Sequence, residues 1–163
     1  MVVPPFGKST LIKLRHLVPT AGTSIGNPLD AWPIFYKVFQ KEGSLGDIVK
    51  TVAEDENIDS LVFMFDQFRY IRRARKHEAV DHLKLVIDMM LEGSLYCRNI
   101  LHKPVLLSVS LDPFLDDDED RKGNLMLKNA FEQHGFPVYP ASDITIRALA
   151  RLYKYAAQTG QAI

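Results

Sequence analysis

Three short stretches carry residue types whose spacing could do chemistry. Gly7-Lys8-Ser9-Thr10 ends like a phosphate-binding turn, in which a lysine and a hydroxyl follow a glycine into a helix. The full pattern needs a glycine where this chain has Val2, and Pro4 and Pro5 lack the N–H groups that would cradle phosphate. Lys8-Ser9-Thr10 therefore reads as the start of a helix. Gly26-Asn27-Pro28-Leu29-Asp30 is the most specific local signal: Pro28 fixes its own φ and drives Asn27 into an extended conformation. Asp30 then stands where an N-cap would open a helix over Ala31 to Gln40. Asp66-Gln67-Phe68 follows an apolar run, at the carboxyl end where open α/β sheets bind ligands.

Each stretch also has a plain structural reading. Gly26–Asp30 is equally a capped loop, and Asp66 a polar residue closing a strand. A phosphorylated receiver aspartate would occupy the Asp66 position, but an acidic pair after a first strand and a lysine after a fifth are not found. His77 and His82 are five apart, off the spacing that puts two ligands on one helix face. His16, His102 and His134 have no ligand cluster either, so no histidine reads as catalytic. Asp116-Asp117-Asp118-Glu119-Asp120 reads as a solvated loop, since consecutive acids do not match the spaced ligands of a calcium loop.

The elements that must position these residues follow from hydropathy. Asp59–Asp66, Lys103–Ser110 and Gly135–Pro140 contain apolar runs too short for helices, and read as parallel strands covered on both faces. Val2 and Val3 could add one more. Helical spacing predicts a first helix through Leu11, Leu14 and Val18 that stops at Pro19. Another carries Leu45, Ile48, Val49 and Val52, with Ser44 and Asp47 as a capping pair. Ala79, Leu83, Val86, Ile87 and Met90 mark a third. Leu125, Ala130 and Phe131 mark one that ends at Gly135, and Ile144, Ala148, Leu149, Leu152 and Ala156 a last one capped by Ser142. Strands separated by single helices imply right-handed crossovers and a three-layer α/β/α sandwich.

Composition sets the outer bounds. At 163 residues the chain fits one domain over 1–163, burying roughly 70% of its unfolded surface. Lys+Arg and Asp+Glu both number 20, and the basic run Arg69–Lys76 is short, which argues against nucleic acid as a partner. Cys97 is the one cysteine, so neither an intramolecular disulfide nor a cysteine zinc site is expected. No stretch reaches the ~20 apolar residues of a membrane span, and Met1–Leu11 does not look like a signal peptide. No membrane partner and a cytoplasmic location are the expectations.

A series of local motifs resembles the NDP-forming acyl-CoA synthetases, relatives of succinyl-CoA synthetase. Ser9–Arg15, Pro19 and Gly26-Asn27-Pro28-Leu29-Asp30 resemble the family's helix followed by N-P-[VL]-D. The likeness continues through Ala53–Phe63, Lys103-Pro104-Val105 and Gly135–Ser142, then a helix with Arg147, Ala148, Leu149 and Tyr155. The resemblance implies the second flavodoxin-like domain of those enzymes, lacking its first strand. It also implies what is absent: the CoA-binding domain, the phosphorylated histidine and the ATP-grasp domain. Phe65–Tyr70 lacks the glycine-rich turn that the family aims at its phosphohistidine, and adds an acid.

The expected function is thus a piece of an acid–thiol ligase, incomplete alone, with Gly26, Asn27, Pro28, Asp30, Asp66, Gln67 and Phe68 on its functional edge. CoA and ATP/ADP are implied for the full enzyme, none bound by this domain itself. Other synthetase domains or subunits are the implied partners. The alternative is a non-enzymatic binding or regulatory module on the same fold. Losing a first strand would leave Leu61–Phe65 at an edge, which predicts self-association or a partner strand there.

Overall fold

The structure is a computed structural model that describes residues 3–18, 24–30, 34–39, 43–65, 79–110 and 118–161. The chain divides into two compact units, Met1–Ser60 with Asp88–Lys103 and Leu61–Ile87 with Pro104–Ile163.

The first unit is helical. Helix α1 runs Lys8–Leu17, α2 Ile34–Phe39 and α3 Leu45–Ala53. Helix α4 spans Ala79–Asn99 and contributes its Asp88–Asn99 part here. Ser44 caps α3 as expected, its hydroxyl accepting the Asp47 N–H at 3.2 Å. Leu14 and Val18 on α1, Ile34 and Val38 on α2, and Ile48 and Val49 on α3 are buried. Helix α3 crosses α4 at two glycines. A Cβ on Gly93 would stand 2.6 Å from the Val49 side chain, and one on Gly46 would stand 3.2 Å from the Met89 carbonyl oxygen. Only a residue without a side chain permits that approach.

The second unit is the α/β part. Strands β1 (Leu61–Phe65), β2 (Val105–Val109) and β3 (Val138–Tyr139) form one parallel sheet in the order β1-β2-β3. Helices α5 (Asp118–Gln133) and α6 (Ser142–Thr159) pack against β2 and β3. Phe131 of α5 meets Phe63 edge-on with ring centroids 6.2 Å apart, so α5 covers one face of the sheet. Every residue of β2 is buried, Leu106 and Ser108 on the other face included, so helices cover both faces. This is a three-layer, flavodoxin-like parallel sheet short of a first strand. On β1, Met64 stays 56% exposed.

Gly135 closes α5 as anticipated. At φ 75° it lets its own N–H reach the Glu132 carbonyl and the Phe136 N–H reach that of Phe131. The Phe131 and Phe136 rings, 5.6 Å apart, complete the motif.

Four local expectations need correcting. Val3 is exposed and belongs to no strand, while Val2 lies outside the described residues. Asp118, Glu119 and Asp120 form the first turn of α5 rather than a loop, because carboxylates there favour the positive end of the helix dipole. Ser142 is the first helical residue of α6, so Ala141 takes the cap position without a side-chain bond. On α5 the buried positions are Gly123, Asn124, Leu127 and Phe131, whereas Leu125 is 39% exposed.

Candidate functional site

The glycine turn that resembles a phosphate loop is closed by a carboxylate of the chain itself. Gly7 is the extended N-cap of α1, where backbone N–H groups lack helical partners. Asp55, just beyond α3 and 3% exposed, fills that position: its Oδ2 accepts the Gly7 N–H at 2.8 Å. Its Oδ1 accepts the Asn57 N–H at 2.9 Å, an Asx turn, and the Thr10 hydroxyl donates to the same carboxylate. Burial raises the Asp55 pKa, but the Thr10 hydroxyl, the two backbone N–H groups and the Lys103 ammonium outweigh it, holding the carboxyl below its ordinary value. Lys103 donates in turn to the carbonyls of Ala53 at 2.7 Å and Asp55 at 3.1 Å.

The Gly26–Asp30 loop joins this arrangement through Asn27, whose Nδ2 donates to the Pro4 carbonyl at 2.9 Å. Asn57 Nδ2 donates to the adjacent Pro5 carbonyl at 3.3 Å. Ser24 and Asp30 close the loop by exchanging backbone hydrogen bonds of 3.1 and 3.2 Å, and the Asn27–Pro28 peptide bond is cis. A Cβ on Gly26 would meet nothing within 4 Å. Of the expected edge residues, Gly26, Asn27, Pro28 and Asp30 thus share one loop anchored to the segment that leads into α1. Asp66, Gln67 and Phe68 lie outside the described residues, as do 31–33, where the helix expected from Ala31 would open. The described part of that helix is Ile34–Phe39.

Beside α1 and α3 lies an open groove of about 480 Å³ lined by Lys13, His16, Leu17, Asp47, Lys50, Thr51 and Glu54. Both of its lysines are paired. Lys13 pairs with Glu54 at 3.6 Å, and Glu54 accepts the Tyr96 hydroxyl at 2.9 Å, which raises the pKa of that phenol. Lys50 pairs with Glu92, whose carboxylate raises the ammonium's pKa, and sits 5.9 Å from the Tyr96 ring centroid. Such exposed pairs hold side chains in place and contribute little stability.

Cys97 is buried, and burial pushes its thiol up to about 11 against the opposing pull of Lys103. A thiol so placed is a poor nucleophile. His134 ends α5 with Nδ1 2.8 Å from the Ala130 carbonyl. No group of three or more His, Cys, Asp or Glu with metal-holding geometry occurs among the described residues.

Sequence reasoning overlooked Asp55, Thr10, Asn57 and Lys103 as one cluster. The Asp-x-Asn spacing is a local Asx-turn signal. Nothing local links Asp55 to Gly7, 48 residues away. No family model, curated protein or solved structure matches this chain.

Proposed function

We propose that this chain is one domain, or a truncated subunit, of an acid–thiol ligase resembling the NDP-forming acyl-CoA synthetases, and is catalytically incomplete by itself. The observation that carries the reading is the run of three parallel strands in sequence order, helices covering both faces, on which the motif series falls. In this account the full enzyme joins a carboxylic acid to the CoA thiol while ATP goes to ADP and phosphate. The phosphohistidine, CoA and nucleotide belong to other domains or subunits. The Gly26–Asp30 loop contributes part of a wall near the acyl or phosphohistidine site. Asp55 supports the view that nucleotide binds elsewhere: an anion at the α1 N-terminus would meet a carboxylate already accepting the Gly7 N–H and the Thr10 hydroxyl.

Two assays test this. The chain is incubated with ATP, CoA and a carboxylic acid, alone and with candidate CoA-binding and ATP-grasp subunits. The reading predicts thioester only in the mixtures. Thioester from the isolated chain overturns the claim of incompleteness, and none in any mixture counts against the ligase assignment. Light scattering at high concentration tests self-association at the β1 edge, where Met64 is exposed.

A second reading is a non-enzymatic binding module. It is favoured by how fully the polar residues of the first unit satisfy one another: Asp55 closes the α1 turn, and the groove's lysines pair with Glu54 and Glu92. No helix among the described residues is long and apolar enough to cross a membrane. A cytoplasmic setting is part of the proposal.

A further inference from the structure

Helix α6 carries more apolar surface than the described chain covers. Its buried side is narrow, made by Thr145, Leu149 and Ala156. Beside it Ile144, Ala148, Leu152 and Tyr155 recur every three or four residues and so share one face. Ile144 is 42% exposed, Leu152 41% and Tyr155 56%. A helix that packs on one side normally turns a polar face to water. Here the charged residues Asp143, Arg147, Arg151 and Lys154, with Gln158, are confined to one strip along the open apolar row. Arg147 pairs with Asp143, but Arg151 and Lys154 are exposed and have no ion-pair partner among the described residues.

We propose that the Ile144–Leu152–Tyr155 face of α6 is a docking surface for a partner protein's amphipathic helix whose apolar stripe is bordered by acidic residues. Two features select that occupant. Ile144, Ala148 and Leu152 form an i±4 row along one helix face, the kind of ridge against which a second helix packs. Arg151, three residues after Ala148 and four before Tyr155, borders the row and Lys154 stands beside it on the same strip, so a partner carboxylate is complementary and a partner lysine is repelled. The inference is independent of the ligase reading, because it uses only α6 and its exposure.

The test titrates the intact chain with synthetic helical peptides of roughly 20 residues, long enough to hold a helix, bearing a leucine stripe. One carries glutamates along the stripe and one carries lysines. Vesicles of mixed phosphatidylserine and phosphatidylcholine form a third arm. The proposal expects saturable binding of one glutamate-bordered peptide per chain, tighter than the lysine-bordered one and weakened by salt. Leu152→Asp abolishes it. The double variant Arg151→Glu, Lys154→Glu lowers affinity for the acidic peptide about tenfold and reverses the preference. These two exposed positions remain informative if Leu152→Asp does not fold, as circular dichroism will report. Equal binding of both peptides, no binding of either, or vesicles preferred over peptide each overturn the proposal.

Discussion

The N-terminal turn of α1 and the outer face of α6 are opposite solutions to leftover binding capacity. At α1 the chain supplies its own anion: the Asp55 carboxylate accepts from Gly7 and Asn57 and takes the Thr10 hydroxyl, so two donors of a motif that looks like a phosphate site are already held by the chain's own carboxylate. At α6 the described residues leave an apolar row exposed and two cations without an ion-pair partner. The contrast teaches that resemblance to a binding motif is weaker guidance than the state of the donors, acceptors and apolar atoms in it. The motif-like turn is a structural clamp, and a surface with no motif is the one proposed for a partner.

The comparison breaks first at Asp55. Replacing it with alanine removes a buried charge-assisted acceptor and strands the donors around it, which should cost about 3 kcal/mol by urea denaturation. A loss within ordinary surface scatter would mean that α1 does not depend on the clamp. Gly93→Ala probes the same unit through packing. With Val49 2.6 Å from the new Cβ, the helices must shift, for an expected cost of about 2 kcal/mol. An unchanged midpoint would show that α3 and α4 separate freely.

Acid gives a third probe. Because the Asp55 carboxyl is held below its ordinary value, its contribution is complete above the unfolded value of 3.8 and is lost as pH falls through the lower folded value. The acid limb of stability against pH should therefore flatten in Asp55→Asn, and an unaltered limb would remove Asp55 from the account. Cys97 sharpens the picture of a closed unit: native chain should resist iodoacetamide at pH 8, while chain in denaturant reacts fully. The smallest effect belongs to α6. Reversing Arg151 and Lys154 should move stability by no more than about 0.5 kcal/mol, as befits exposed charges with no ion-pair partner among the described residues. A larger change would make them structural.

Much of the sheet is legible in the sequence, because β1 and β2 are continuous apolar runs that no amphipathic helix would produce. The Ser44 cap and the Gly135 close are legible for the same reason: each is a local geometric requirement met by one residue type. The orientation of α6 was not. Its apolar residues surround most of the helix, so spacing alone does not single out the buried side, which is Thr145, Leu149 and Ala156. The acidic run reads as a loop by charge density, yet the helix dipole makes it a good first turn. Asp55 was illegible for a deeper reason, since its meaning depends on a contact with Gly7 that only folding creates.

The most direct test of the contrast is an ATP titration of the isolated chain followed by amide ¹H–¹⁵N spectra. With Asp55 holding the α1 turn, the amides of Gly7 to Thr10 and of Gly26 to Asn27 should stay in place up to millimolar nucleotide. Saturable shifts confined to Gly7, Lys8, Ser9 and Thr10 would contradict the account, placing a nucleotide site where the structure puts a carboxylate.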